Sequence, residues 1–371
     1  MKISIIGGGI AGCSTAFYLT SEGHEVTLFE RGSLASHASG FALGALLPSF
    51  DSSRGDAYAE ISNYSVGLHR DLAGEFSGGS GGEAGDLNFV RKASVSLVKD
   101  EAEAESLRRT YEAYADDYSV DTRWLALGEL RHIDMRISGD VLGGLYVGEA
   151  YELDPYRLTL SLWQVAEQQG VQLVNRDVTE IIVNGDRVSG VIAAGQVFEA
   201  DAVVAAAGPW SSQILDGVGV NVPVTPLKGQ IIRLDAPGPP IKMSLWWGEN
   251  YATTKSDGLL WAGTTEEETG FDDSTTVEAR DSIIGSVVEM LPYLEDAELV
   301  RQTACLRPMT PDRLPIIDAE TESGPEGLVI ATGAGRNGIM LGPAMGQAAA
   351  ALATGVKSPI DVSAFSLARF S

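Results

Sequence analysis

The stretch KISIIGGGIAGCSTAFYLTSEGHEVTLFE, residues 2–30, constrains the fold more than any other part of the chain. Its β-branched run, Ile3 to Ile6, reads as a strand. Gly7, Gly9 and Gly12 form a glycine turn, an apolar helix runs to about Glu22, and a second strand, Glu25 to Phe29, ends at Glu30. G-x-G-x-x-G alone is a common pattern. Here it follows a strand, opens a helix and has an acid 18 residues after Gly12, the context of a dinucleotide-binding βαβ unit. Gly7 permits the tight turn, Gly9 lets the backbone approach a pyrophosphate, and Gly12 lets the helix pack on the strand. The pyrophosphate then meets free N–H groups and the positive end of a helix dipole, and Glu30 accepts from ribose hydroxyls. On these residues alone, a βαβ unit without a ligand stays open as the alternative.

The continuation does not follow the regular rhythm of a nicotinamide dehydrogenase. RGSLASHASGFALGALLPSF, residues 31–50, is rich in small residues and has no strand–helix alternation. Dinucleotide-type segments return much later. FEADAVVAAAGPWSS (198–212) reads as a buried strand closing on Gly208, and GLVIATGAGRNGIMLGPAMGQAAAALATG (327–355) as another strand, Leu328 to Thr332, entering a glycine-rich loop. A helix of small residues is expected from about Gly342, because Pro343 suits a first helical turn. Glycines at 333, 335 and 338 would let backbone N–H groups approach a flat ring. A glycine-rich turn before a close-packed helix is the plainer alternative. A discontinuous cofactor region suits a flavoprotein better than a dehydrogenase.

The 371 residues suggest about two domains of roughly 150 residues each. Lys plus Arg number 26 against 51 Asp plus Glu, and a net charge of −25 repels nucleic acid and anionic membranes alike. No nucleic-acid or membrane partner is expected. Two cysteines, Cys13 and Cys305, give no disulfide framework and fit a reducing compartment. No window has the roughly 18 apolar residues of a spanning helix, and a strand running into glycines is no signal peptide. A cytoplasmic location is the expectation.

Several motifs occur together in order: GGGIAG with FERG, ASGFALGALLP, ELDPYRL, GVQLV, DVTEIIVNGDRVSGV, AAGPWS, TPLKGQ, LRPMTPDRLPIID and ATGAGRNGIMLGPAMG. Together they resemble the D-amino acid oxidase superfamily of FAD proteins, in its glycine oxidase and sarcosine oxidase branch. The resemblance implies an α/β fold, with a Rossmann-type FAD domain of the GR2 kind and an α+β substrate domain built on a large antiparallel sheet. Residues 1–80, 145–215 and 305–371 would form the FAD domain, and 81–144 with 216–304 the substrate domain. GGSGGEAGD (78–86) makes a flexible crossover, and the acidic KDEAEAESLRRTYEAYADD after it reads as an amphipathic surface helix with i, i+4 pairs. The cofactor residues implied are Gly7, Gly9, Gly12, Glu30, Arg31, Ser39, Gly44, Ala45, Val178, Gly208, Gly333, Gly335, Asn337, Gly338 and Ile339.

Three further residues carry the expected chemistry. Arg307 matches the family's arginine that grips the substrate carboxylate; its planar fork suits two parallel charge-assisted bonds. On spacing alone, an ion pair with a protein acid such as Asp312 is an equal reading. Tyr251, on a hairpin turning at Asp257 and Gly258, matches a tyrosine bonded to the same carboxylate, although a strand tyrosine can simply pack. Thr254 stands where relatives carry proline. Arg336 matches an arginine of glycine oxidases, offering side-chain charge near the flavin or a backbone carbonyl to the substrate amine; a surface ion pair is the alternative. Ala334 replaces a frequent histidine. Cys305 corresponds to the cysteine that carries covalent FAD in monomeric sarcosine oxidases, but glycine oxidases bind FAD without a bond. Non-covalent FAD is expected, with Cys305 as a buried apolar residue, and covalent attachment at Cys305 stays open as the alternative.

The function implied is oxidation of glycine or an N-substituted glycine: hydride leaves Cα for the flavin, the imine hydrolyses to glyoxylate and amine, and O2 becomes hydrogen peroxide. Ala45, smaller than the methionine of many relatives, leaves room for a larger N-substituent, as in an N-carboxymethyl amino acid of secondary metabolism. The alternatives are a D-amino acid dehydrogenase with another electron acceptor, a tRNA-modifying FAD enzyme, which would want a basic surface, and a non-catalytic FAD subunit. No metal is needed. His37 lies near the expected flavin face, while His24, His69 and His132 are scattered.

Overall fold

The computed structural model describes residues 1–20, 23–47, 54–77, 86–114, 121–319 and 324–371. Outside these lie the helix end expected at Glu22 and, apart from Asp86, the crossover expected at 78–86. The acidic surface helix is described as Glu101–Tyr114, with Arg109 pairing Glu105 at i, i+4.

Side-chain alternation along Lys2–Ile6 sends Ile3 and Ile5 to one face of a six-stranded sheet and Ile6 to the other. The strand order is Ile316–Asp318, Leu328–Thr332, Ala202–Ala205, Lys2–Ile6, Glu25–Phe29, Gln172–Val174, parallel throughout except for the first pair. Both faces are covered, which explains the near-continuous apolar runs. On one side helices Ile10–Thr20, Asp56–Ser77, Pro155–Gln168 and Gly338–Ala353 share a core with Ile3, Ile5, Val204 and Val329. On the other, the antiparallel strands Val178–Asn184, Arg187–Ala193 and Gln196–Glu199 cover Ile6, Val203 and Ile330. Cys13 lies fully buried in the first helix.

The second sheet has eight strands, in the order Glu298–Met309, Thr225–Asp235, Leu260–Gly263, Asn250–Thr254, Ser244–Trp247, Ser94–Val98, Gly143–Val147, Thr122–Ala126. Only the pair Ser244–Trp247 and Ser94–Val98 is parallel. Helix Val277–Met290 covers its outer face through Ile283, Val287 and Met290. The inner face presents Ile231, Tyr251 and Trp261, which pack with Leu43. Positions 145 and 305, read from sequence as boundaries, fall inside strands of this sheet. The hairpin at Asp257 and Gly258 joins Asn250–Thr254 to Leu260–Gly263.

The last helix departs from expectation. It begins at Gly338, directly after a 3₁₀ turn Gly335–Asn337, and Pro343 lies inside it. Proline removes the N–H that Ile339 O would receive. His69, on helix Asp56–Ser77, places Nε2 3.0 Å from Ile339 O and 3.1 Å from Met340 O, so a donor from outside the helix makes the proline tolerable. The small residues serve close packing, since a Cβ at Gly342 or Gly346 would overlap Ile10 or Ser14 of the first helix. No helix among the described residues is long and apolar enough to cross a membrane.

Candidate active site

A cavity of about 680 Å³ lies where the parallel strands end, roofed by the inner face of the eight-stranded sheet. Gly7 turns at its base with φ +112°, and a Cβ there would overlap Ala206 O. Gly7, Gly9 and Ile10 line the cavity. Gly12 does not; it lies against the Gly7 carbonyl, where a Cβ would overlap, and so sets helix-to-strand packing rather than touching a ligand. Ser39 Oγ accepts from Ile10 N–H at 2.9 Å and fixes the turn. Glu30 ends the second strand with both oxygens placed: Oε2 accepts from Gly8 N–H and Oε1 from Gly32 N–H, each at 2.7 Å.

Arg31 lies 4.0 Å over the Trp210 ring, which also contacts His37 at 4.9 Å and stacks on Phe271 at 5.6 Å. Arg31, His37, Gly44, Ala45, Val178 and Gly208 all line the cavity. So do Gly333, Gly335, Asn337, Gly338 and Ile339, which bring the start of helix Gly338–Ala353 to the wall. Lys255 was not singled out from sequence. It donates to Leu43 O at 2.7 Å and Leu153 O at 2.8 Å, and lies 3.3 Å from Glu152. It thereby ties the Leu43–Ala45 segment to the sheet. Burial draws its pKa down against the pull of Glu152.

Arg307 stands on Glu298–Met309, 8% exposed, with its side chain on the cavity wall. Nη2 donates to Thr264 Oγ1 at 2.7 Å and Nη1 to Thr265 O at 3.1 Å. Asp312, its candidate ion partner, pairs instead with Arg369 at 2.7 Å, because Arg369 reaches it from the C-terminal turn. Among the described residues, none of the ion pairs involves Arg307. Burial draws its pKa down. A buried cation whose partners are neutral is costly unless an anion joins it.

Tyr251 also lines the cavity, with its ring 5.1 Å from Trp246, a wall residue that sequence reasoning missed. Burial pushes the phenol pKa up, outweighing the cations Arg307 and Arg336, so it remains protonated. Arg336 has its main chain in the 3₁₀ turn at the wall. Its side chain pairs with Glu249 and, at 3.4 Å, with Glu266, while Nη2 donates to Glu249 O at 3.0 Å. The ion-pair alternative therefore describes the side chain, and two carboxylates offset its charge. Cys305, two residues before Arg307, faces the same cavity; burial pushes its thiol pKa up, with Arg307 pulling the other way. No group of His, Cys, Asp and Glu among the described residues is arranged to hold a metal.

A family model described as FAD dependent oxidoreductase matches residues 2–352. Glycine oxidase of Geobacillus kaustophilus is 29% identical over 371 residues, spanning 99% of this chain and 96% of that protein. Glycine oxidase of Pseudomonas aeruginosa is 29% identical over 363 residues, spanning 97% and 96%. The crystal structure of the Geobacillus kaustophilus enzyme superposes with a TM-score of 0.92 at 28% identity, covering 98% of this chain and 97% of that one. The cavity fits FAD by its donor set. Two helix starts, at Ile10 and Gly338, open on one space, and Glu30 lies at the end of the second strand. Gly9 lacks the Cβ that would reach within 3.1 Å of Ser39 Oγ and fill the approach.

Proposed function

The chain belongs to the FAD dependent oxidoreductase family and acts on amine or amino acid donors, and from that premise we propose that it oxidises glycine or an N-substituted glycine with Arg307 as the carboxylate clamp. The observation that carries this reading is Arg307 itself, a buried cation on the cavity wall held by a hydroxyl and a carbonyl. A substrate carboxylate supplies the missing charge through two charge-assisted bonds.

FAD, when bound, accepts the hydride and passes the electrons on. The protein's part is binding and orientation. Gly7, Gly9, Glu30, Arg31, Ser39, Gly44, Ala45, Val178, Gly208, Gly333, Gly335, Asn337, Gly338 and Ile339 hold the cofactor, without a bond to Cys305. Gly12 contributes by packing. Tyr251 donates its phenol proton to the carboxylate held by Arg307, and the Arg336 carbonyl accepts from the substrate amine. The six-stranded sheet with its helices serves the cofactor and the eight-stranded sheet the substrate. Overall, the N-substituted glycine, dioxygen and water give glyoxylate, the freed amine and hydrogen peroxide. The small Ala45 favours an N-substituent larger than methyl.

The test is anaerobic bleaching of the bound flavin by glycine, sarcosine and bulkier N-carboxymethyl amines, with peroxide assayed once air is admitted. Bleaching by these and not by amines lacking a carboxylate, lost in Arg307→Ala, supports the reading. Equal bleaching by amines without a carboxylate overturns it.

A further inference from the structure

His69 has no part in the chemistry proposed above, and it is completely buried. Its Nε2 meets two carbonyls, Ile339 O at 3.0 Å and Met340 O at 3.1 Å, so the proton is on Nε2 and the ring donates. Nδ1 has no partner among the described residues. One turn earlier on the same helix, Ser65 Oγ accepts from Ala344 N–H at 3.3 Å. Ser65 and His69 thus meet helix Gly338–Ala353 on both sides of Pro343.

The location gives this contact its consequence. Pro343 removes the intrahelical donor for Ile339 O, and the turn so loosened includes Gly338, Ile339 and Met340, which line the cavity. An unsatisfied carbonyl there would reorient its peptide or twist the turn. The amides and dipole of that turn would then no longer be held toward the ring. We infer that His69 is a positioning residue for the flavin, its Nε2–H replacing the donor that Pro343 lacks and so fixing the first turn of the last helix against the cofactor. This rests on the reading that Gly338 and Ile339 face the flavin.

The experiment is a double-mutant cycle on the FAD-bound protein, with His69→Leu, Pro343→Ala and both together. Pro343→Ala restores an N–H to the helix and removes the need for the histidine. The readout is sulfite affinity, from bleaching of the flavin absorbance, which reports how well the site stabilises negative charge on the ring and needs no amine substrate. His69→Leu is expected to weaken sulfite binding about tenfold, Pro343→Ala to change it less than twofold, and the double variant to return close to wild type. A His69→Leu protein that binds sulfite like wild type, or a double variant as weak as His69→Leu, overturns the inference. If His69→Leu retains no FAD, the double variant decides: FAD retention with near wild-type sulfite affinity supports the inference, and loss of FAD overturns it. Wild-type protein that no amine reduces would sink the substrate reading while leaving this cycle interpretable.

Discussion

The guanidinium of Arg307 lies against the main chain of Gly229 on the neighbouring strand, where a Cβ at 229 would overlap its Cζ and both Nη atoms. In the ladder Gly229 pairs with Cys305, and Arg307 with Leu227, so the side chain reaches back across the strand pair. Gly229→Ala therefore moves the Arg307 guanidinium while leaving its charge in the protein. Charge-assisted hydrogen bonds are worth about 1.5–3 kcal/mol each, so affinity for a carboxylated amine should fall roughly 10- to 100-fold with FAD retained. Anaerobic titration of the flavin measures this. An unchanged dissociation constant would show that the carboxylate is held elsewhere.

Thr264 links Arg307 to the sheet: its Oγ1 accepts from Arg307 Nη2 at 2.7 Å and lies 3.0 Å from Gln230 O, to which it donates. Thr264→Val keeps the shape and removes both bonds, and substrate affinity should drop about tenfold by the same bond energy. Thr264→Ser should stay within about threefold. Equal losses in the two variants would assign the effect to packing rather than to the hydroxyl.

What was legible in the sequence was local. The strand, glycine turn, helix and Glu30 lie within thirty consecutive residues, and Leu328–Thr332 is bounded by its own glycines. The Asp257–Gly258 hairpin is likewise written in adjacent residues. What was hidden depends on partners far away in the chain. Pro343 pointed to a helix start near 342, yet the helix runs from Gly338 because His69 supplies a donor from 270 residues away. Arg336 is engaged by Glu249, 87 residues distant, and Asp312 by Arg369, 57 residues distant. Spacing carries no information about such pairings. Arg307 was found by motif, whereas its seat on Gly229 and Thr264 exists only once the strand register is fixed.

Cys305 faces the cavity as a thiol whose pKa burial pushes up. A thiol rather than a thiolate is a poor nucleophile. Acid precipitation should therefore leave the yellow colour in the supernatant, and Cys305→Ser should retain FAD. Colour that stays with the precipitated polypeptide would instead establish covalent attachment.

Two helical glycines should respond in opposite directions. At Gly346 a Cβ would overlap Ser14, and Gly346→Ala should destabilise by about 1–3 kcal/mol through overpacking. At Gly67, within Asp56–Ser77, a Cβ meets nothing within 4 Å, and Gly67→Ala should stabilise by about 0.5–1 kcal/mol through helix propensity. Urea unfolding of both variants tests the pair. A neutral Gly346→Ala would mean that the two helices separate at little cost.

His69 should also give stability a pH dependence of its own. Burial lowers its pKa from 6.5 to about 4, although the bonds to Ile339 and Met340 pull upward. Between those values the unfolded chain takes up a proton that the folded chain refuses, so stability rises with pH across the window and falls on acidification. Well above pH 6.5, where the ring is neutral in both states, the residue contributes no slope. One proton is worth about 1.4 kcal/mol per pH unit, or about 2 kcal/mol between pH 6.5 and 5. Urea unfolding at pH 7 and pH 5, with FAD at a fixed saturating concentration, should show this loss in wild type. The loss should shrink by about that amount in the His69→Leu/Pro343→Ala protein, whose helix is repaired but whose titrating ring is gone. Equal acid losses in the two proteins would mean that the ring titrates in the fold as freely as in the unfolded chain, and that burial does not hold it neutral.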